Sequence, residues 1–257
     1  MKKLYLTFDV EPCWLDIPVQ HTRAEWSSFD RVSYEQTMYF ADLCKANDWQ
    51  CTFFIVGAWA QQFPNAVRRL KDLGFDIGSH SYWHEDLSLL NRRDFLAEVI
   101  LSKNVLEDII GDNVDVFRAP SFSIHPWQID ILAEAGFKRD SSITYGARYK
   151  GKQKSQYKIS SEIVEYSMRG WSVLGNELTI LGGGYLRIIP TTCLKFMKTL
   201  DLGNMLYLHP HDLPSQIDLS NYGHISRFNK TKKKIRNGSM IEKLHILAEE
   251  NQFVDLT

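Results

Sequence analysis

The chain has 257 residues, 44% of them hydrophobic and 24% charged, with a formal net charge of −1. That composition is ordinary for a globular protein with a full core, and the length suits one large α/β domain over residues 1–257. The near-zero charge gives no overall attraction to nucleic acid or to an anionic membrane surface, and no stretch approaches the roughly 18 apolar residues of a membrane span. Four cysteines (Cys13, Cys44, Cys51 and Cys193) show no paired spacing, which suits a reducing compartment. The apolar run after Met1-Lys2-Lys3 is too short for a secretory signal, so the expected location is cytoplasmic.

In chain order, residues 4–8 read as a first strand that ends at Asp9 and Glu11. Residues 12–30, carrying Trp14 and Trp26, read as a loop, and a loop that long inside a compact domain is usually functional or disordered. Ser33-x-x-Gln36 has the form of a capping box and opens a helix. Residues 51–56 are a β-branched and aromatic strand ending at Gly57, and Pro64 and Gly74 bracket a helix over 65–73. A short buried strand over 75–77 ends at Gly78, just before His80 and His84. Asn91 then caps a helix that runs to Ile110 and stops at Gly111. Strands follow at 114–117 and 137–139, separated by a helix over 126–135. Residues 145–157 form a Lys-rich loop, and strands are expected at 163–167 and 178–181 before Gly182-Gly183-Gly184. The chain closes with a helix over 190–200, a strand over 205–208, a basic stretch over 230–236 and a helix over 240–249. Strands alternating with helices predict a parallel sheet, open or closed into a barrel.

The polar residues of interest stand where strands end: Asp9 with Glu11, His80, Arg118, Asp140 and His209. Carboxyl ends of different strands are where a (β/α) barrel assembles its active site. His80 and His84 are four apart on a turn or helix, so both imidazoles can meet at one point. Asp9 and Glu11 are two apart on a strand and project from one face. Two histidines and two carboxylates permit a division of labour, one carboxylate joining the imidazoles on a metal and the other serving as a base.

Thr7-Phe8-Asp9, Ser79-His80-Ser81-Tyr82-Trp83-His84, Arg118-Ala119-Pro120, Asp140-Ser141 and Leu206-Tyr207-Leu208-His209 occur in this order along the chain. In order and rough spacing they resemble the NodB-homology polysaccharide deacetylases, carbohydrate esterase family 4. Arg118-Ala119-Pro120-Ser121-Phe122-Ser123-Ile124 looks like the branch that accompanies exopolysaccharide and surface-glycan biosynthesis. The resemblance implies a single-domain, distorted (β/α) barrel. It also implies Asp9 as general base, Arg118 holding that base, His209 as general acid and Asp140 orienting His209. His80 and His84 would be ligands of a divalent metal, zinc first and other divalent transition metals as alternatives. The common family pattern has two adjacent aspartates, whereas Val10 stands in the second place here, so the third ligand is expected to be Glu11. His211 competes with His209 as the acid. The expected reaction is hydrolysis of an N-acetyl or similar acyl group from an amino sugar, the partner being an N-acylated sugar or glycan intermediate. Two alternatives stand beside it: an amidase or deformylase acting on a small or lipid-linked nitrogen compound, and a glycan-binding barrel without turnover.

Overall fold

The computed structural model describes residues 1–12, 31–144, 157–158, 162–173, 176–213 and 239–257. Most of the Trp-bearing loop, most of the Lys-rich loop and the basic stretch expected at 230–236 lie outside the described residues.

β1 (Lys2–Val10) pairs with three other strands of the main sheet, and its period of two separates an outer from an inner core. Leu4, Leu6, Phe8 and Val10 face one way and join the large core beneath the helices. Tyr5 faces the other way and packs in a second, smaller apolar cluster with Phe54, Val116, Met168 and Met205. Thr7, Asp9 and Glu11 continue that alternate row. A strand covered on both faces needs parallel neighbours and crossover helices. β1 pairs in parallel with β2 (Thr52–Ile55), β10 (Met205–Leu208) and β11 (Asn251–Val254). β2 continues to β3 (Asp76–Ser79), β4 (Val116–Phe117), β5 (Arg139–Asp140) and β7 (Val164–Glu165), all parallel, with β6 (Tyr157–Lys158) antiparallel at the end. Strands from both ends of the chain thus share one sheet. The fold is α/β, a parallel sheet curled into a distorted (β/α) barrel around the small inner cluster.

The helices are α1 (Arg31–Ala46), α2 (Gly57–Gln62), α3 (Pro64–Asp72), α4 (Arg92–Ile110), α5 (Pro126–Glu134), α6 (Gly183–Ile188), α7 (Thr191–Met197) and α8 (Met240–Ala248). Among the described residues, none is long and apolar enough to cross a membrane. The Asn91 side chain accepts from the Asp94 N–H at 3.1 Å to start α4, and Gly111 at φ 66° closes it. The capping-box expectation at Ser33 is corrected, because α1 already begins at Arg31. Ser33 is a buried bonding residue instead, its Oγ accepting from the Trp59 indole at 2.8 Å. The strand expected at 178–181 is displaced into an antiparallel hairpin, β8 (Trp171–Val173) with β9 (Asn176–Leu178). Ile180 and Leu181 bury their side chains in a turn. Buried apolar runs of this length do not distinguish strand from turn by periodicity.

Candidate metal centre and active site

The two histidines stand on an irregular turn rather than a helix. Ser81 (φ 61°) and His84 (φ 59°) both adopt the left-handed conformation. Such residues need support from their surroundings, and α4 provides it. The buried Glu98 carboxylate accepts from the Tyr82 and Trp83 N–H groups at 3.0 and 2.6 Å, and the Ser102 hydroxyl donates to the Ser81 carbonyl at 2.9 Å. His84 N–H closes the turn on the Ser81 hydroxyl at 3.0 Å. The imidazoles end with ring centroids 5.0 Å apart.

Glu11, just past the end of β1, points into the same space. Its Oε2 lies 2.5 Å from His84 Nε2 and 3.9 Å from His80 Nε2. His80 Nδ1 meets the Arg118 carbonyl at 2.8 Å. A carbonyl only accepts, so Nδ1 carries the proton and the lone pair of Nε2 is directed to the side where Glu11 stands. One ligand atom from each of Glu11, His80 and His84 lies within 4.8 Å of the others. Two imidazoles and one carboxylate, with a fixed tautomer, fit a divalent transition metal.

Asp9 is held apart from that group. Arg118, fully buried at the end of β4, donates to Asp9 Oδ1 at 2.7 Å and to the Thr7 hydroxyl at 2.9 Å through Nη1. Its Nε and Nη2 donate to the Ser141 carbonyl and hydroxyl at 3.2 and 2.9 Å, and its guanidinium lies 4.1 Å from the Phe54 ring centre. Burial alone would raise the Asp9 carboxyl. Arg118, then His80 and His209, outweigh burial and hold it below the usual carboxylate range. Burial pushes His80 down to about 4, so it is neutral at physiological pH. For His84 burial acts in the same sense, but the Glu11 charge prevails and raises it.

His209 leaves β10 with Nε2 3.8 Å from Glu11 Oε1. Its carboxylate partner is Asp212, and the expectation for Asp140 is corrected here. Asp212 Oδ2 accepts the His209 backbone N–H at 2.8 Å and lies 3.4 Å from Nδ1. Burial would raise the Asp212 carboxyl, but His209, His211 and Arg187 together hold it low. His211 stacks on His209 with ring centroids 4.8 Å apart. Asp140 is the register partner of Phe117 and Glu165. It accepts from the Ser142 hydroxyl at 2.6 Å and meets the Glu165 carboxyl. Two short strands therefore set Asp140 between Phe117 and Glu165, while a single turn after β10 already supplies a carboxylate for His209.

The glycine run is part of the same arrangement. A Cβ on Gly183 would stand 1.8 Å from Asp212 Oδ2. Gly183→Ala is therefore expected to displace that carboxylate, costing about 1–3 kcal/mol as overpacking. Thermal melts and kcat of the folded variant check this, and an unchanged kcat would separate Asp212 from the reaction.

Asp140 and Glu165 form a second buried feature. Burial, then the Asp140 charge, holds Glu165 protonated well above the ordinary carboxyl range. Through that window the native state keeps a proton that the unfolded chain has released, so this group's contribution to stability falls as pH rises. Glu165→Gln has no proton to lose and is expected to flatten the decline of Tm as pH rises above the ordinary carboxyl range. An unchanged slope would exclude Glu165 as its source.

A family model described as polysaccharide deacetylase matches residues 1–139. The chain belongs to the polysaccharide deacetylase family. A second model, a domain of unknown function (DUF3473), matches residues 123–257 of this deacetylase-family chain. Peptidoglycan-N-acetylglucosamine deacetylase of Bacillus cereus is 27% identical over 127 residues, 44% of this chain and 46% of that protein. Chitin deacetylase of Colletotrichum lindemuthianum is 31% identical over 101 residues, 37% of this chain and 41% of that protein. The chain spans less than half the length of each of these curated relatives. Among solved structures, the family 4 carbohydrate esterase of Streptomyces lividans shares the fold with a TM-score of 0.55 at 15% identity, covering 98% of this chain and 91% of the other. A family 4 pseudoenzyme from Bacillus anthracis shares it as well, with a TM-score of 0.57 at 14% identity, over 99% of this chain and 63% of that one.

Glu98, Ser142, Glu165 and Asp212 were not singled out from the sequence. Glu98 and Glu165 lie within segments expected to be helix and strand. Only Asp212, three residues after His209 at a strand end, had a readable signal.

Proposed function

We propose that the chain is a metal-dependent hydrolase that removes an N-acetyl or similar small acyl group from an amino sugar. Its substrate is an intermediate of surface-polysaccharide assembly, met in the cytoplasm. One observation carries the reading: the Glu11, His80 and His84 donor set stands with the Asp212-held His209, 3.8 Å from Glu11, and with the Arg118-held Asp9, whose carboxyl feels both His80 and His209. Family membership supports the reaction type, and the names of the peptidoglycan and chitin deacetylases support an N-acetylated glycan.

Glu11, His80 and His84 hold the ion, zinc before other divalent transition metals. Bound there, it supplies Lewis acidity toward an amide carbonyl and toward water. Asp9, kept ionised by Arg118, accepts the proton of the attacking water. His209 delivers a proton to the departing amine nitrogen, and Asp212 keeps its ring turned so that Nε2 faces the site while Nδ1 stays engaged.

Elemental analysis of protein purified without chelator is expected to find about one divalent metal per chain for this three-donor site. Glu11→Ala should weaken metal binding more than Asp9→Ala does, and the reverse order would exchange the two carboxylates' roles. Acetate release across N-acetylated sugar nucleotides, lipid-linked sugars and oligosaccharides then identifies the substrate. Release from none of them, by metal-loaded protein, would overturn the reading.

A further inference from the structure

We propose that Ser142 and Asp140, with Glu165 behind them, are positioning residues for His80, acting through the peptide bond between Arg118 and Ala119. The inference deepens the reading of His80 as a metal ligand and rests on it. That peptide is gripped from both sides. Its carbonyl oxygen, on Arg118, accepts from His80 Nδ1 at 2.8 Å, and its N–H, on Ala119, donates to Ser142 Oγ at 2.8 Å. Ser142 spends its one proton on Asp140 Oδ1 at 2.6 Å. The other carboxylate oxygen of Asp140 is buried and, among the described residues, has no further donor beyond the Glu165 carboxyl that lies against it.

Every group in this chain has a single consistent donor direction. The Ser142 hydroxyl donates to Asp140, the Ala119 N–H donates to Ser142, and His80 donates to the Arg118 carbonyl. Glu165 is itself anchored, its Oε1 accepting from the Ile143 N–H at 3.0 Å and facing the Ser167 hydroxyl at 3.3 Å. All of these groups are dry: Asp140, Glu165, Ser142 and His80 are each at most 1% exposed. In such surroundings, successive hydrogen bonds polarise one another, and an unpaired polar group is costly. A proton on Nδ1 leaves Nε2 to the ion, so the array selects the binding tautomer. Partners outside the first shell of a metal commonly act in this way. The register explains why these residues meet, since Ser79, Phe117, Asp140 and Glu165 are successive partners across four strands.

The test compares Ser142→Ala, Ser142→Thr, Asp140→Leu and Asp140→Asn in the full chain. Zinc titrated into chelator-stripped protein should bind about 10–100-fold more weakly to Ser142→Ala and Asp140→Leu. Ser142→Thr and Asp140→Asn, which keep the hydroxyl and an acceptor for it, should recover most of the affinity. The second readout needs no metal. Nitrogen-15 shifts of the imidazoles in the apoprotein should show His80 as the Nδ1–H tautomer alone in wild type and as a mixture in Ser142→Ala. A folded Ser142→Ala protein with wild-type tautomer and affinity would overturn the inference. Wild-type protein that binds zinc no better than His80→Ala would overturn the metal reading of the site, while the tautomer comparison would still decide the role of Ser142.

Discussion

His209→Ala is expected to lower kcat on an N-acetylated amino sugar by about 10²–10⁴-fold, the usual contribution of a general acid or base. The chemistry makes this side chain costly to lose. An amine leaves a tetrahedral centre only when its nitrogen is protonated, and otherwise the addition reverses. His209 Nε2 faces Glu11, 3.8 Å from Oε1, while Nδ1 is turned to Asp212. His211, the other histidine of the turn, is 2% exposed and stacked behind it. Metal content should survive the substitution, because the donors proposed for the ion are Glu11, His80 and His84. Asp212→Asn should cost less, since the imidazole stays but loses its anionic partner. An aryl ester with a good leaving group needs no proton on departure and should be far less sensitive to both changes. Equal losses on amide and ester would remove His209 from the role of acid and leave His211 or water.

The elements that position the site were legible where local chemistry has few readings. Asn91 and Gly111 bound α4 because an N-cap acceptor and a left-handed residue are needed at those points. The same-face placement of Asp9 and Glu11 follows from the period of a strand, carried one residue past the end of β1 at Val10. Convergence of His80 and His84 was legible, but its cause was not. The spacing suggests a helical turn, whereas Ser81 and His84 meet the requirement with left-handed backbone that Glu98 and Ser102 hold from α4. Nothing local marks those two as partners of a turn 15 and 21 residues earlier.

Asp140 shows the same limit from the other side. Resemblance gives a residue its motif, but partner choice is decided by strand length and register. β5 and β7 pair Asp140 with Glu165, and this turns its carboxyl toward Ser142 rather than toward β10. Asp212 then takes the place beside His209, in space left by the absent side chain of Gly183. The terminal strand β11 was missed because residues 251–254 follow α8 with little of the alternation that marks a strand.

Arg118→Met should be the most destabilising single change at the site. The side chain is 0% exposed and Asp9 4%, and their contact is 2.7 Å. Breaking a buried pair by removing one partner typically costs about 3–5 kcal/mol, since the remaining charge has lost its compensation. The loss is larger in kind than that of an ion pair alone. Arg118 also donates to Thr7 and to Ser141 twice, and it stacks on Phe54, so the inner faces of three strands lose a common partner. Arg118→Lys should recover only part, because a single ammonium cannot reproduce the planar fork. Asp9→Asn in the Arg118→Met background removes the stranded charge and should restore a share of the loss, giving a coupling free energy in a double-mutant cycle. Urea unfolding of the metal-free proteins measures each step. A cost below about 1 kcal/mol, the size of an exposed pair, would mean that Asp9 is not held as an ionised, Arg-paired carboxylate.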